Sequence, residues 1–74
     1  MPHVNIKHFP APLSAERESE LVAAVSSAVA RAFDLDEGVV SVALEPVARE
    51  VWHERVYQPE IVNRKELLRK SPNY

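Results

Sequence analysis

The chain has 74 residues and no cysteine, so we expect one domain, residues 1–74, without disulfides or thiolate metal sites. It carries 9 lysine and arginine residues against 11 aspartate and glutamate residues, which excludes the strongly basic surface of a nucleic-acid-binding protein. No apolar run reaches the roughly 20 residues of a membrane span, and no signal peptide is recognisable, so the sequence predicts a cytoplasmic protein without a membrane segment.

The first predicted element is a strand over residues 3–9. Val4 and Ile6 alternate with polar neighbours at a period of two residues, which is typical of a strand. Pro10 and Pro12 end this strand and make the following connection stiff and extended.

A long helix is predicted next, with Ser14 as its N-cap and its end near Phe33. Acidic residues crowd its first turns, where the helix dipole favours negative charge. Its predicted apolar face consists of Leu21, Val22, Val25, Ala28, Val29, Ala32 and Phe33. Because alanine and valine dominate this face, we expect it to pack closely on a sheet.

Residues 39–45 are the strongest strand signal of the chain, and Pro46 ends it. A turn over residues 34–38, which contains the only glycine, connects this strand to the helix. Strand, long helix and strand in this order form a β-α-β unit. The sequence therefore predicts an α+β fold with two parallel strands and a right-handed crossover.

The last third of the chain has a weaker pattern. Residues 47–57 show no regular period, and Pro59 suits the first turn of a short C-terminal helix that Pro72 follows. The residues expected to point inward from this helix are Ile61, Val62, Leu67 and Leu68. Two strands leave both sheet edges bare, so we expect an oligomeric sheet whose second face, with Val42 or its neighbours, meets another subunit.

Pro2 is the residue whose chemistry stands out. Initiator methionine is normally removed before a small second residue, and removal of Met1 would leave Pro2 with a free secondary amine held rigid by its own ring. A dry pocket disfavours the charged form of such an amine and lowers its pKa toward neutrality, where a base is the most effective proton shuttle. From these residues alone, the alternative is that Pro2 merely starts the strand.

Short motifs along the whole chain carry a family resemblance through their order and spacing. They are Met-Pro-His-Val-Asn-Ile-Lys at 1–7, Phe9-Pro10, Val-Ser-Val-Ala-Leu at 40–44, Trp52, Glu60-Ile61 and Lys-Ser-Pro-Asn-Tyr at 70–74. Together they resemble the 4-oxalocrotonate tautomerase family, and most closely its PptA-type branch. The resemblance implies a β-α-β protomer and a cofactor-independent isomerase.

The resemblance also implies the reaction and the assembly. In the family, an amino-terminal proline, here Pro2, moves a proton between oxygen and carbon of a small 2-keto acid or its enol, such as a phenylenolpyruvate-like or 2-hydroxydienoate compound. The shortest members are hexamers, whereas PptA-type members carry an extended C-terminal segment and are dimers. We therefore expect a homodimer in which residues 59–74 cover the surface that would otherwise join dimers, with a hexamer as the alternative.

Three further residues are candidates for substrate binding. Trp52 matches the position from which the family places an aromatic ring in the pocket, and Phe9 could line the same pocket. The substrate carboxylate and the enolate oxygen need a cation, and Arg49 is ranked first because it is three residues from Trp52. Roles in the core or on the surface stay open for each, and the other candidate cations are Lys7, His8, Arg17 and Arg55.

The sequence also departs from the family pattern. The type enzymes use two arginines, one just after the first strand and one within the second, where this chain has Ala11-Pro12 and Ala43. The PptA-type branch shares the second of these alanines but not the first. Substrates with two carboxylates, which need two cationic partners, are therefore not expected.

Two other functions stay open from the sequence. A Pro2-dependent dehalogenase or decarboxylase of the same superfamily would add a water-activating carboxylate, for which Glu45, Glu50 and Glu54 are candidates. A non-catalytic oligomeric module would keep the fold without the chemistry. No metal site is expected, because the three histidines lack the spacing of metal ligands.

Overall fold

The computed structural model describes residues 1–74 and contains two strands and two helices joined by short turns. Strand β1 spans His3–His8, helix α1 spans Ala15–Phe33, strand β2 spans Ser41–Pro46, and helix α2 spans His53–Val62. Single 3₁₀ turns occupy Glu37–Val39, Arg49–Val51 and Lys65–Leu67. No helix is both long enough and apolar enough to span a membrane.

The two strands form a parallel two-stranded sheet, and α1 is the crossover between them. Their pairing continues beyond both ends of β1. The Ser41 N–H donates to the Pro2 carbonyl at 3.1 Å, and the Val47 N–H donates to the His8 carbonyl at 2.8 Å. The predicted α+β architecture with a β-α-β unit is therefore confirmed.

Both ends of α1 are capped by the residues around them. The Ser14 hydroxyl accepts a hydrogen bond from the Arg17 N–H at 3.1 Å, which confirms the predicted N-cap. At the other end, Asp34 adopts the left-handed conformation (φ 56°) that commonly closes a helix. The exit from the helix thus depends on Asp34 and not on the conformational freedom of the only glycine.

The apolar face predicted for α1 is partly wrong. Ala28, Ala32 and Phe33 are exposed, Phe33 to 66%, whereas Ala30, which the prediction omitted, is the one buried residue of the helix. The reason is geometric, because two strands about 4.8 Å apart are narrower than the apolar face of a helix. The sheet of a single chain therefore covers only part of that face.

The second sheet face is not the apolar surface expected around Val42. Val42 and Leu44 share a cavity with Val22 of α1, so they face the long helix. Because successive strand residues point to opposite faces, the other face carries Ala43 and Glu45 of β2 together with polar side chains of β1. This second face is largely polar, and α2 reaches it through ion pairs to Lys7 and Glu45.

Helix α2 begins earlier than the sequence predicted. Residues 49–57 are already helical, and Pro59 lies inside α2 and not in its first turn. The helix is wound as a π-helix, and Pro59 donates no backbone hydrogen bond within it. Val62 and Leu67 are exposed, and the buried residue of α2 is Val56.

Charged side chains hold α2 on the sheet. The Lys7 ammonium of β1 pairs with the Glu60 carboxylate of α2, and Arg55 of α2 lies 3.6 Å from the Glu45 carboxylate of β2. The expectation that residues 59–74 cover a surface between dimers stays a prediction, and the residues that form these ion pairs with the sheet belong to α2. Three residues of the single chain are buried, namely Ala30, Val47 and Val56.

Candidate active site

An aromatic recess forms at one edge of the sheet. Because β1 and β2 are parallel, the residues that follow the two strands lie together at the carboxyl end of the sheet. Phe9 follows β1, and Trp52 ends the turn after β2; their rings meet edge to face at a centroid distance of 4.9 Å. With Tyr74 they line an open cavity of about 470 Å³, which we call the aromatic recess.

Arg49 adds a positive charge beside this recess. Its guanidinium carbon lies 4.8 Å from the centroid of the Phe9 ring, a cation–π distance. Arg49 forms no ion pair, whereas Lys7 and Arg55 are each paired with a glutamate. The structure therefore brings Phe9, Trp52 and Arg49 together, with Arg49 as an unpaired cation beside the aromatic recess.

Pro2 lies at the opposite end of β1. Pro2 and Phe9 flank the strand, and seven residues of extended chain place them about 23 Å apart. The Pro2 carbonyl is fixed by Ser41, whose hydroxyl is also 2.7 Å from Nδ1 of His3. The structure thus does not bring Pro2 to the aromatic recess of the same chain.

With Met1 attached, the Pro2 nitrogen belongs to a peptide bond and has no lone pair available for proton transfer. Met1 itself is 97% exposed. Pro2 is half-buried at the head of the sheet. Removal of Met1 would therefore create the amine without disturbing a packed side chain.

Tyr74 is a lining residue that the sequence argument missed. The motif at residues 70–74 was part of the family resemblance, but no role was assigned to it. Nothing in the periodicity of the chain places residue 74 next to Phe9, because this contact is set by the path of the chain after α2. The sequence did offer one signal for this role, because Tyr74 is the aromatic residue of the motif at residues 70–74.

Glu45 is poorly suited to be the water-activating carboxylate of the alternative enzymes. The Asn5 side-chain amide donates to Glu45 Oε1 at 3.0 Å, and this hydrogen bond holds the pKa of the Glu45 carboxyl below its ordinary value of 4.5. The charges of Lys7 and Arg55 act in the same direction, against partial desolvation that raises the pKa. The side chains of Glu50 and Glu54 are exposed and form no ion pair.

Neither of the two positions at which the family resemblance suggested arginines lines the aromatic recess. Ala43 sits in the middle of β2 opposite Asn5, and Ala11 lines the cavity beside α1. The structure brings no three histidine, aspartate or glutamate side chains together in a metal-binding arrangement.

Comparison with known proteins identifies relatives over the full chain. A family model described as "Tautomerase enzyme" matches residues 2–54. The chain is 39% identical to Tautomerase PptA of Enterobacter sp. (strain 638) over 74 residues, 100% of this chain and 97% of that protein. Proteins of the same name from Klebsiella pneumoniae and a strain of Escherichia coli are 38% and 31% identical, each over 100% of this chain and 97% of theirs.

The lowered pKa of Glu45 makes a prediction about acid stability. A carboxyl whose pKa falls on folding stabilises the native state above its unfolded pKa, and this stabilisation is lost as the pH drops through the folded pKa. Glu45→Gln should therefore lower the melting temperature at neutral pH, and the difference from the parent should vanish well below pH 4.5. Thermal unfolding followed by circular dichroism across this range measures both.

Glu54→Gln is the matched control, because the Glu54 side chain is exposed and makes no ion pair. A loss of the same size in this variant would mean that overall charge, and not the bonds of Glu45, sets the acid stability. A Glu45→Gln difference that stays constant down to low pH would also contradict the assignment.

Proposed function

Because this chain belongs to the tautomerase family and is an isomerase of that type, we propose that it interconverts the enol and keto forms of a small 2-keto acid with Pro2 as its base. The observation that carries the proposal is that Arg49, a guanidinium without an ion-pair partner, lies beside the aromatic recess. The guanidinium suits the carboxylate of the acid, and the aromatic recess suits a conjugated apolar substituent. No cofactor is required for this reaction.

The proton transfer needs one base that works twice. The free amine of Pro2 takes the proton of the enol hydroxyl, and the ammonium so formed returns it to the neighbouring carbon, which yields the keto acid and regenerates the amine. A base with a pKa near the working pH serves both steps. The Arg49 guanidinium would bind the carboxylate through charge-assisted hydrogen bonds.

The distance between Pro2 and the aromatic recess argues for a site shared by two chains. A small 2-keto acid cannot bridge about 23 Å along one strand. A two-fold axis perpendicular to the strands makes the strands of two chains antiparallel, so the Pro2 end of one lies beside the Phe9 end of the other. Both sheet edges of each chain are free for such pairing.

The surface of the single chain supports an obligate partner. It exposes 5894 Å², whereas a compact monomer of 8.3 kDa is expected to expose about 4,600 Å². The excess of about 1,300 Å² exceeds the roughly 800 Å² that one partner buries in a standard interface. The exposed apolar residues at the end of α1, Phe33, Leu35 and Val39, add to the surface that a second chain could cover.

We propose a homodimer rather than a hexamer because of α2. This helix is joined to the sheet face opposite α1 by the ion pairs to Lys7 and Glu45. Stacking of dimers through that face would require α2 to leave it. The free edges of the sheet remain as the surfaces for one two-fold partner.

Pro2→Ala tests the base. The fold should persist, since the Pro2 side chain is not part of the core, and turnover of phenylenolpyruvate should fall roughly 100-fold because general-base catalysis is impaired. An absorbance assay of the enol measures the rate, and intact mass spectrometry shows whether Met1 has been removed. Pro12→Ala, in the exposed connection after β1, is the control. Equal rates for the parent and Pro2→Ala would rule out Pro2 as the base.

Arg49→Ala tests the anion-binding role. The KM for the enol should rise about tenfold with little change in kcat, because a charge-assisted contact to the carboxylate is lost in both the ground and transition states. Arg55→Ala is the matched control, since its guanidinium already faces Glu45. A KM increase confined to Arg55→Ala would transfer the anchor to that residue.

Light scattering on the purified protein tests the assembly. We expect a mass of twice the 8.3 kDa chain at micromolar concentration and a melting temperature that rises with protein concentration. A mass of one chain would contradict the shared site, and a mass of six chains would contradict the covering role of α2.

A further inference from the structure

The chain after α2 returns to the aromatic recess and places one tyrosine ring against it. Residues 68–74 have no regular secondary structure, and the Tyr74 ring lines the recess together with Phe9 and Trp52. The Tyr74 ring also contacts Tyr57 of α2, at a centroid distance of 5.8 Å and an interplanar angle of 38°. Tyr74 is therefore a wall between α2 and the recess.

This wall is held less firmly than the other two. Phe9 directly follows β1, and the turn that ends at Trp52 directly follows β2, so both are tied to the hydrogen-bonded sheet. Tyr74 is 65% exposed, its hydroxyl makes no hydrogen bond, and its ring contacts are those with the neighbouring aromatic residues. Of the three rings, that of Tyr74 is the one that can adjust to a ligand at low cost.

The recess selects a particular ligand chemistry. Its walls are three aromatic rings, and Arg49 stands at its rim beside Phe9. Its volume of about 470 Å³ suits a small molecule. A carboxylate at Arg49 directs the remainder of the ligand between the rings, where a planar aryl group stacks favourably. A short substituent has less apolar surface to place against the third ring, that of Tyr74.

We infer that Tyr74 is a specificity-determining residue, whose ring closes the aromatic recess over an aryl substituent and so favours aryl-bearing 2-keto acids over short-chain ones. This inference rests on the tautomerase activity proposed above, because it names the substrate class of that site. The ring and not the hydroxyl of Tyr74 carries the effect. Phenylalanine at this position should therefore behave like tyrosine.

The kinetic test compares phenylenolpyruvate with 2-hydroxy-2,4-pentadienoate in the full-length protein. Tyr74→Ala should raise the KM for phenylenolpyruvate about three- to tenfold, as expected for the loss of one aromatic contact, and should leave the KM for the dienoate within about twofold. Tyr74→Phe should restore the parent KM for both. Leu67→Ala, an exposed apolar residue ahead of the same segment, is the control for general loosening of the chain.

A binding test needs no turnover. Trp52 is the only tryptophan, so its fluorescence reports on the recess alone. Titration with trans-cinnamate, an unreactive aryl acid, should quench this fluorescence more strongly than crotonate in the parent and in Tyr74→Phe. In Tyr74→Ala the ratio of quenching by cinnamate to quenching by crotonate should fall. The factor should match the change in the ratio of the KM values for the two enols.

The outcomes separate this inference from the proposed function. Loss of activity in Pro2→Ala together with unchanged substrate preference in Tyr74→Ala would overturn the role of Tyr74 and leave the tautomerase intact. Equal losses for both substrates would also overturn it, because Tyr74 would then be structural. If the parent converts neither enol, the proposed function fails, and a cinnamate preference that depends on Tyr74 would still support the aryl-binding recess.

Discussion

The parallel pairing of β1 and β2 is the constraint on which the rest of this molecule depends. Helix α1 returns the chain to the end of the sheet at which β1 begins, so both strands run in the same direction. Residues that follow a strand, including Phe9 and Trp52, therefore lie at the carboxyl end of the sheet, and Pro2 lies at its amino end. One backbone pattern thus creates the aromatic recess and also separates it from the proposed base.

Stability and function then make the same demand on the chain. A two-stranded sheet is too narrow to cover α1, so three buried side chains and an excess of exposed surface remain in the single chain. A second copy related by a two-fold axis would cover that surface and bring Pro2 of one chain to the recess of the other. In the proposed assembly, the interface that completes the core is also the interface that completes the site.

Ion pairing distinguishes the cations that hold the structure together from the one proposed to bind substrate. Lys7 and Arg55 are satisfied by Glu60 and Glu45, and these pairs fix α2 on the polar face of the sheet. Arg49 has no carboxylate partner and rests on the Phe9 ring. A guanidinium in this position keeps its hydrogen-bond donors available for a substrate anion, which a paired residue could offer only after breaking its own contact.

The sequence by itself determined the β-α-β order, the N-cap at Ser14 and the family, because periodicity, capping and motif order are local properties of the chain. It also singled out Pro2, Phe9, Arg49 and Trp52 as candidates. The tertiary structure decided what local patterns do not encode. It showed that Pro59 lies within α2, that Val42 faces α1, and that Arg49 is unpaired while Arg55 is not. The contact of Tyr74 with the recess is likewise a long-range one, since it depends on where α2 packs and not on the residues next to Tyr74.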